Sequence, residues 1–359
     1  MSQTGEESSA IPGLDDLRRW RDEKDVDSGQ TANDPRAATA AQKGTPDDAP
    51  KASTWGDWDD RTIANRPMGA PAKPPDDEPT PPPGQSLGLH LREFLRLQRD
   101  DAMVLARPED RRGLLPETII VLGISLGASA IWAILSIINS LTMRVPLGDQ
   151  SVTINVSQTP DRPWLDLLYQ LYNIVIPLVP VAVAFYLLAR VRRPDGAPFR
   201  LMGITWANAP RDTALGVCLA AIIGIPGLGL YAVARAIGVS LNVQPTNLAA
   251  HWWTIPVLVL LAAMNGILEE TVMIGYLFTR WTQIAWGPWR IILTSALIRG
   301  SYHLYQGFGG FVGNAIMGVV FGWVYMRTKR VLPLVIAHTI LDIVSFIGYS
   351  LLHNIWHWL

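Results

Sequence analysis

Residues 264–278 read MNGILEETVMIGYLF. Two adjacent carboxylates, Glu269 and Glu270, stand inside an apolar run long enough to cross a bilayer. A charge near the bilayer centre costs about 2.5–3.5 kcal/mol on insertion scales before any partner offsets it. Adjacent residues on an α-helix diverge by about 100°. The reading is therefore that the two carboxylates need different partners, one in a shared site and one on a neighbouring helix.

The rest of the chain fits a membrane setting. Of 359 residues, 49% are hydrophobic and 17% charged, averages that hide a break in composition near residue 115. Before the break the chain is polar, charged and proline-rich; after it, long apolar runs alternate with short basic loops. This is the pattern of an integral membrane protein with a soluble N-terminal extension. A formal net charge of −1 gives no pointer to nucleic acid. The single cysteine, Cys218, excludes an intramolecular disulfide framework. The start, MSQTGEESSAIPG, lacks the basic and then apolar regions of a signal peptide. Arginine in excess of lysine, with abundant alanine, points to a GC-rich bacterium and hence a bacterial plasma membrane.

The expected fold is all-α, a polytopic transmembrane helical bundle of about seven spans. Residues 1–86 read as a disordered, Pro-rich cytoplasmic extension, with RPMGAPAKPPDDEPTPPPG as its clearest stretch. Within it, DDLRRWRDEKD and WGDWDDR read as solvated charge with incidental aromatics, partner docking being the other reading. Residues 87–112 suggest an amphipathic helix on the membrane surface, because Leu87, Leu91, Phe94 and Leu95 follow helical spacing between arginines. The bundle covers 118–352, with spans at 118–142, 165–189, 213–237, 254–278, 288–306, 311–326 and 332–352. The sixth is short and the fifth carries charge.

Loop charge alternates accordingly. Arg92, Arg96, Arg99, Arg107, Arg111 and Arg112 precede the first span, and Arg190, Arg192, Arg193, Arg200 and Arg211 follow the second. Arg280 and Arg290 follow the fourth, and Arg327, Lys329 and Arg330 the sixth. The other loops hold only Arg144, Arg162 and Arg235. The positive-inside rule then puts the N-terminus in the cytoplasm.

Ionisable groups inside the spans cluster late: Glu269 and Glu270, Arg299 and His303, His338 and Asp342. The last two pairs have i, i+4 spacing, which puts each pair on one helical face. Glutamate and histidine in a dry cavity suit the activation of water. Two histidines with carboxylates on separate helices equally suit a divalent metal with an open position, zinc being the natural candidate. Either arrangement leads to hydrolysis. A buried ion-pair network locking three helices is the structural alternative for Glu269, Glu270 and Arg299.

Three segments, EETVMIGYL (Glu269–Leu277), SALIRGSYHLYQG (Ser295–Gly307) and AHTILD (Ala337–Asp342), resemble the motifs of the CPBP family of intramembrane proteases. That family includes the type II CAAX prenyl endopeptidases and bacteriocin-processing proteins. The resemblance covers about residues 210–350 and implies an intramembrane endopeptidase acting on a membrane-associated peptide or protein. Carried over by position, it makes Glu269 the base that activates water, His303 its partner and Glu270 the second carboxylate. His338 and Asp342 would stabilise the oxyanion or, with Glu269 and His303, complete a metal site.

The sequence departs from the family pattern at three places: Ile274 stands where arginine is frequent, Arg299 where an aromatic is usual, and Asp342 where asparagine is frequent. We read Arg299 as a relocated arginine that pairs with Glu270. An ionised aspartate donates no hydrogen bond, so Asp342 is read as orienting His338 or ligating metal. A non-catalytic immunity or scaffolding protein and a proton-coupled transporter are the rival functions.

Four further features need less. His353 and His357 sit beside Trp356 and Trp358 and read as an aromatic belt. His90 and His251 fall at surfaces. Gly318 and Gly322 fit tight packing behind the site or a homodimer face. Asn314 is a candidate polar contact near the site.

Overall fold

The computed structural model describes residues 92–105, 107–190 and 198–348. The extension at 1–86, its two Trp-bearing segments, His90, His353 and His357 lie outside the described residues.

The bundle begins with α1 (Leu114–Gly123) and α2 (Leu126–Thr142), bent by 56° at Ile124–Ser125. Strand β1 (Ser151–Asn155) follows, then α3 (Pro163–Val175) and α4 (Val179–Ala189). Pro177 and Pro180 remove backbone donors between those two helices, and the chain tightens into a 3-10 turn over Ile176–Leu178. Next come α5 (Ala209–Ala236) and β2 (Asn242–Thr246). Helix α6 (Thr254–Glu269) passes through a π-helical turn, Glu270–Tyr276, into α7 (Leu277–Gln283). The chain finishes with α8 (Pro288–Tyr302), α9 (Phe308–Thr328) and α10 (Leu332–Ile343), the last running into a π turn at Val344–Gly348.

The opening stretch is the central element of this bundle. Every residue from Glu269 to Gln283 is buried. Of the hydropathic window in Thr254–Gln283, 72% is buried, against 17% for the helix ending at Ala236. A helix apolar all round belongs in the interior, with its neighbours facing lipid.

Among the described residues, four helices are long and apolar enough to cross a membrane: Pro163–Ala189, Pro198–Ala236, Thr254–Gln283 and Phe308–Thr328; the bent α1–α2 pair makes a fifth if it counts as one span. This revises the seven expected spans in detail. The expected short sixth span is a 21-residue helix, whereas the fifth, α8, has only 15 residues. Helix α8 ends because His303 leaves helical geometry and Gly307 adopts φ 98°, with Ser240 packed where a side chain would sit.

All these elements nevertheless run between two ends. At one, Leu105 N–H donates to the Gln283 carbonyl, Arg280 to that of Leu187, Val331 N–H to that of Met202, and Arg330 pairs with Asp212. At the other, Arg235 donates to the Gly148 carbonyl, Leu241 N–H to that of Gln306, and β1 pairs in parallel with β2. The described parts of the basic loops thus meet at one end. This two-stranded sheet is the one departure from an all-helical chain among the described residues, and its strands are five residues each.

The single interfacial helix expected over 87–112 is broken. Residues 92–95 are helical, Asp101–Met103 forms a 3-10 turn and Pro108–Arg112 a separate helical turn. Tertiary contacts hold the pieces: Arg327 donates to the carbonyls of Glu93 and Phe94, and Phe94 packs on Trp323 at 4.5 Å.

Close helix approach depends on small residues. A Cβ on Gly318 would lie 2.9 Å from Ala296 Cα, and one on Gly322 3.0 Å from Phe278. Both glycines are buried against neighbours within the chain, so they do not form a homodimer face. On α6, a Cβ on Gly266 would lie 2.7 Å from Thr339 Oγ1 and 3.0 Å from the Val335 carbonyl of α10. Gly266→Val is expected to cost about 1–3 kcal/mol by overpacking and to lower the unfolding temperature in micelles. Gly229→Ala, where a Cβ meets nothing within 4 Å, is expected to leave it unchanged or raised.

Candidate active site

Three helices bring six of the sequence-derived residues to one place. Glu269 closes α6 and Glu270 opens the π turn. The wider π turn rotates successive side chains by less than an α-turn does, and both carboxylates face the same cluster. This corrects the expectation that one of them would turn away. Their partners still differ, apart from one they share.

That shared partner is Arg299. It is 1% exposed and donates to Glu270 Oε1 at 2.7 Å, while its second terminal nitrogen lies 3.5 Å from Glu269 Oε2. Helix α9 passes behind it: a Cβ on Gly318 would come within 3.2 Å of Arg299 Cδ. The arginine of α8 is therefore the counter-ion of both glutamates.

Glu270 Oε1 also lies 2.7 Å from His338 Nδ1. A carboxylate only accepts, so Nδ1 of this ring carries the proton. His338 Nε2 is 3.8 Å from Asp342 Oδ1 on the same face of α10. Asn265 Nδ2 donates to Asp342 Oδ2 at 2.9 Å. On the other side of the cluster, Tyr302 donates to Glu269 Oε2 at 2.6 Å, and His303 Nε2 is 3.9 Å from the same oxygen. Gln306 Nε2 faces His303 Nδ1 at 3.4 Å. Three buried polar atoms of the cluster have no hydrogen-bond partner among the described residues: Glu270 Oε2, Arg299 Nη1 and His303 Nε2.

The expected metal set was Glu269, His303, His338 and Asp342. The structure gathers a different one. One ligand atom each from Glu269, Glu270 and His338 lies within 4.8 Å of the others, and this buried group could hold a metal ion. His303 and Asp342 stand at its two edges, each nearly 4 Å from one member. The orphaned Glu270 Oε2 gives this donor set a free lone pair, so the residues fit a cation.

Sequence reasoning missed Tyr302, Asn265 and Gln306. Asn265 stands four residues before Glu269 and could have been found by spacing; Tyr302, next to His303, offers no signal of its own. Asn314 bonds the Gly310 carbonyl within its own helix and does not reach the site. His251 stacks on Trp253 near the start of α6. A second buried cluster, in which Glu117 accepts from Tyr276 and pairs with Arg280, ties α1 to the central helix.

Compared with known proteins, residues 251–344 match the family described as type II CAAX prenyl endopeptidase Rce1-like. All three motifs fall within that segment, which is similar to this protease family. No curated protein and no solved structure matches the chain. Apolar helices and family together make this a multi-pass membrane protein.

Removing one partner of a buried ion pair costs about 3–5 kcal/mol, because the other charge is left uncompensated. Arg299→Met is expected to destabilise the protein by that order, read as denaturant or thermal unfolding in micelles. Adding Glu270→Gln to it is expected to restore a large part of the loss, since one orphaned carboxylate goes with it.

Proposed function

We propose that the chain is an intramembrane endopeptidase that hydrolyses a peptide bond of a membrane-associated substrate with a water activated by Glu269 and His303. The observation that carries this reading is the 3.9 Å separation of Glu269 Oε2 from His303 Nε2, an imidazole nitrogen that is buried and has no hydrogen-bond partner among the described residues. That spacing is too long for a direct bond and suits one water held by both groups.

In this scheme Glu269 takes a proton from the water as its oxygen adds to the scissile carbonyl carbon. His338, fixed at Nδ1 by Glu270, turns Nε2 towards the developing oxyanion, and Asp342 beside that nitrogen stabilises the charged ring. The carbonyl then reforms, the C–N bond breaks, and the proton on Glu269 passes to the departing amine. Arg299 holds the two carboxylates in register throughout. The bilayer supplies the substrate and excludes bulk water from the cluster.

A metal-dependent form of the same reaction is favoured by one observation, the convergence of Glu269, Glu270 and His338 within 4.8 Å. A zinc-like ion held there would acidify water and polarise the carbonyl. In that form His303 and Asp342 orient water and substrate from the edges. The basic end, by the positive-inside rule, faces the cytoplasm.

The test uses purified protein in lipid nanodiscs, assayed against membrane-anchored peptides and analysed for bound metal. Glu269→Gln and His303→Ala are expected to lower cleavage by about 10²–10⁴-fold, the usual worth of general acid–base groups, in protein that remains folded. Stoichiometric metal that disappears in Glu270→Gln would select the metal-dependent form. A wild type that cleaves nothing, beside variants that lose only stability, would favour the non-catalytic alternatives.

A further inference from the structure

A cavity sharing no residue with the carboxylate–histidine cluster opens at the basic end of the bundle. It measures about 310 Å³, and its lining includes Arg200, Lys329 and Asp100 together with Phe278, Tyr325 and Met326. Its charged groups are unusual in being unspent. Arg280 and Arg330 are paired with carboxylates, and Arg327 donates to main-chain carbonyls. The Arg200 side chain forms no ion pair or hydrogen bond among the described residues, and Lys329 Nζ has no ion-pair partner there, facing the Met326 sulfur at 3.7 Å and the Tyr325 ring at 5.9 Å. The Asp100 side chain likewise has no ion-pair partner among the described residues.

The backbone gives an independent sign. Lys329 follows the last turn of α9 in the left-handed region, at φ 54°. Glycine or asparagine is the low-strain choice at such a helix end, and a lysine there carries a steric cost. Strain of this kind persists where the side chain is needed.

The geometry points to an aminophospholipid headgroup as the occupant of this pocket. Its phosphodiester would lie against Arg200 and Lys329, and its primary amine against Asp100. A bare phosphate would use the two cations but be repelled by Asp100. A quaternary choline cannot donate a hydrogen bond to that carboxylate, whereas an ethanolamine can. The apolar part of the lining, with Phe278, Tyr325 and Met326, suits the glycerol end of a lipid, and the volume lies in the range of small-ligand sites.

Native mass spectrometry of the full chain, titrated with phosphatidylethanolamine, phosphatidylcholine and phosphatidylglycerol, tests this. Inorganic phosphate is added as a competitor. Phosphatidylethanolamine is expected to bind best. Lys329→Asn, which keeps a residue suited to left-handed backbone, and Arg200→Gln are each expected to weaken all three lipids by about tenfold, the worth of a charge-assisted hydrogen bond. Asp100→Asn is expected to abolish the preference for ethanolamine while leaving phosphatidylglycerol bound. The proposal is overturned by equal binding of the three lipids to wild type, by lipid binding that survives both cation substitutions, or by displacement with inorganic phosphate. Arg200 is exposed and outside the packed core, so its substitution decides the matter if Lys329→Asn fails to fold.

Discussion

A guanidinium buried between two carboxylates is the constraint on which the rest of this structure turns. Glu269 and Glu270 sit on the most enclosed helix of the bundle, where neither can reach water freely. Arg299 supplies their compensation from a different helix. Neither charged element is stable in a bilayer alone, since an isolated charge at that depth costs several kcal/mol. The bundle must bring α8 against the π turn of the central helix, and doing so places Tyr302 and His303 beside Glu269. Helix α10 is drawn to the same point through His338. The charges that make the segment expensive to insert are thereby the ones that specify how its helices pack.

Close packing lets the electrostatics work at short range. Gly266 lets α10 approach the central helix, and Gly318 lets α9 press on α8 behind Arg299. With larger residues at these points the helices would separate, and hydrogen bonds of 2.6–2.7 Å at Glu269 and Glu270 would be lost. The π turn adds a second device: by opening the helix at Glu270 it lets adjacent carboxylates serve one cluster. Such insertions are frequent at functional sites because they redirect side chains without breaking a helix.

The two ends of the bundle divide the labour. One gathers the basic loops, a broken N-terminal strap and a pocket with uncommitted charges. The other holds the two-stranded sheet, and towards it α8 ends early at His303. A helix of only 15 residues leaves its C-terminal groups facing the cluster, which a longer span would carry past it.

Several features were legible in the sequence because they depend on local pattern alone. The apolar runs, the alternation of loop charge, and the i, i+4 pairs Arg299–His303 and His338–Asp342 each follow from spacing. The rarity of charge in these runs was enough to predict that the ionisable groups on these helices face one another, though not that both glutamates share one cluster. Sequence could not say which atoms would meet. Tyr302 as a donor to Glu269, Asn265 as a donor to Asp342, and the replacement of His303 and Asp342 by Glu270 in the tightest donor set depend on helix rotation. So do the fate of Gly318 inside the bundle and the early end of α8, which follows from Gly307 packing on Ser240 far away in the chain. Local sequence fixes which residues carry charge and which can lie in lipid. Only the packing of helices distant in sequence decides the distances between those charges, and a shift of about an ångström separates an ion pair from a site that holds water.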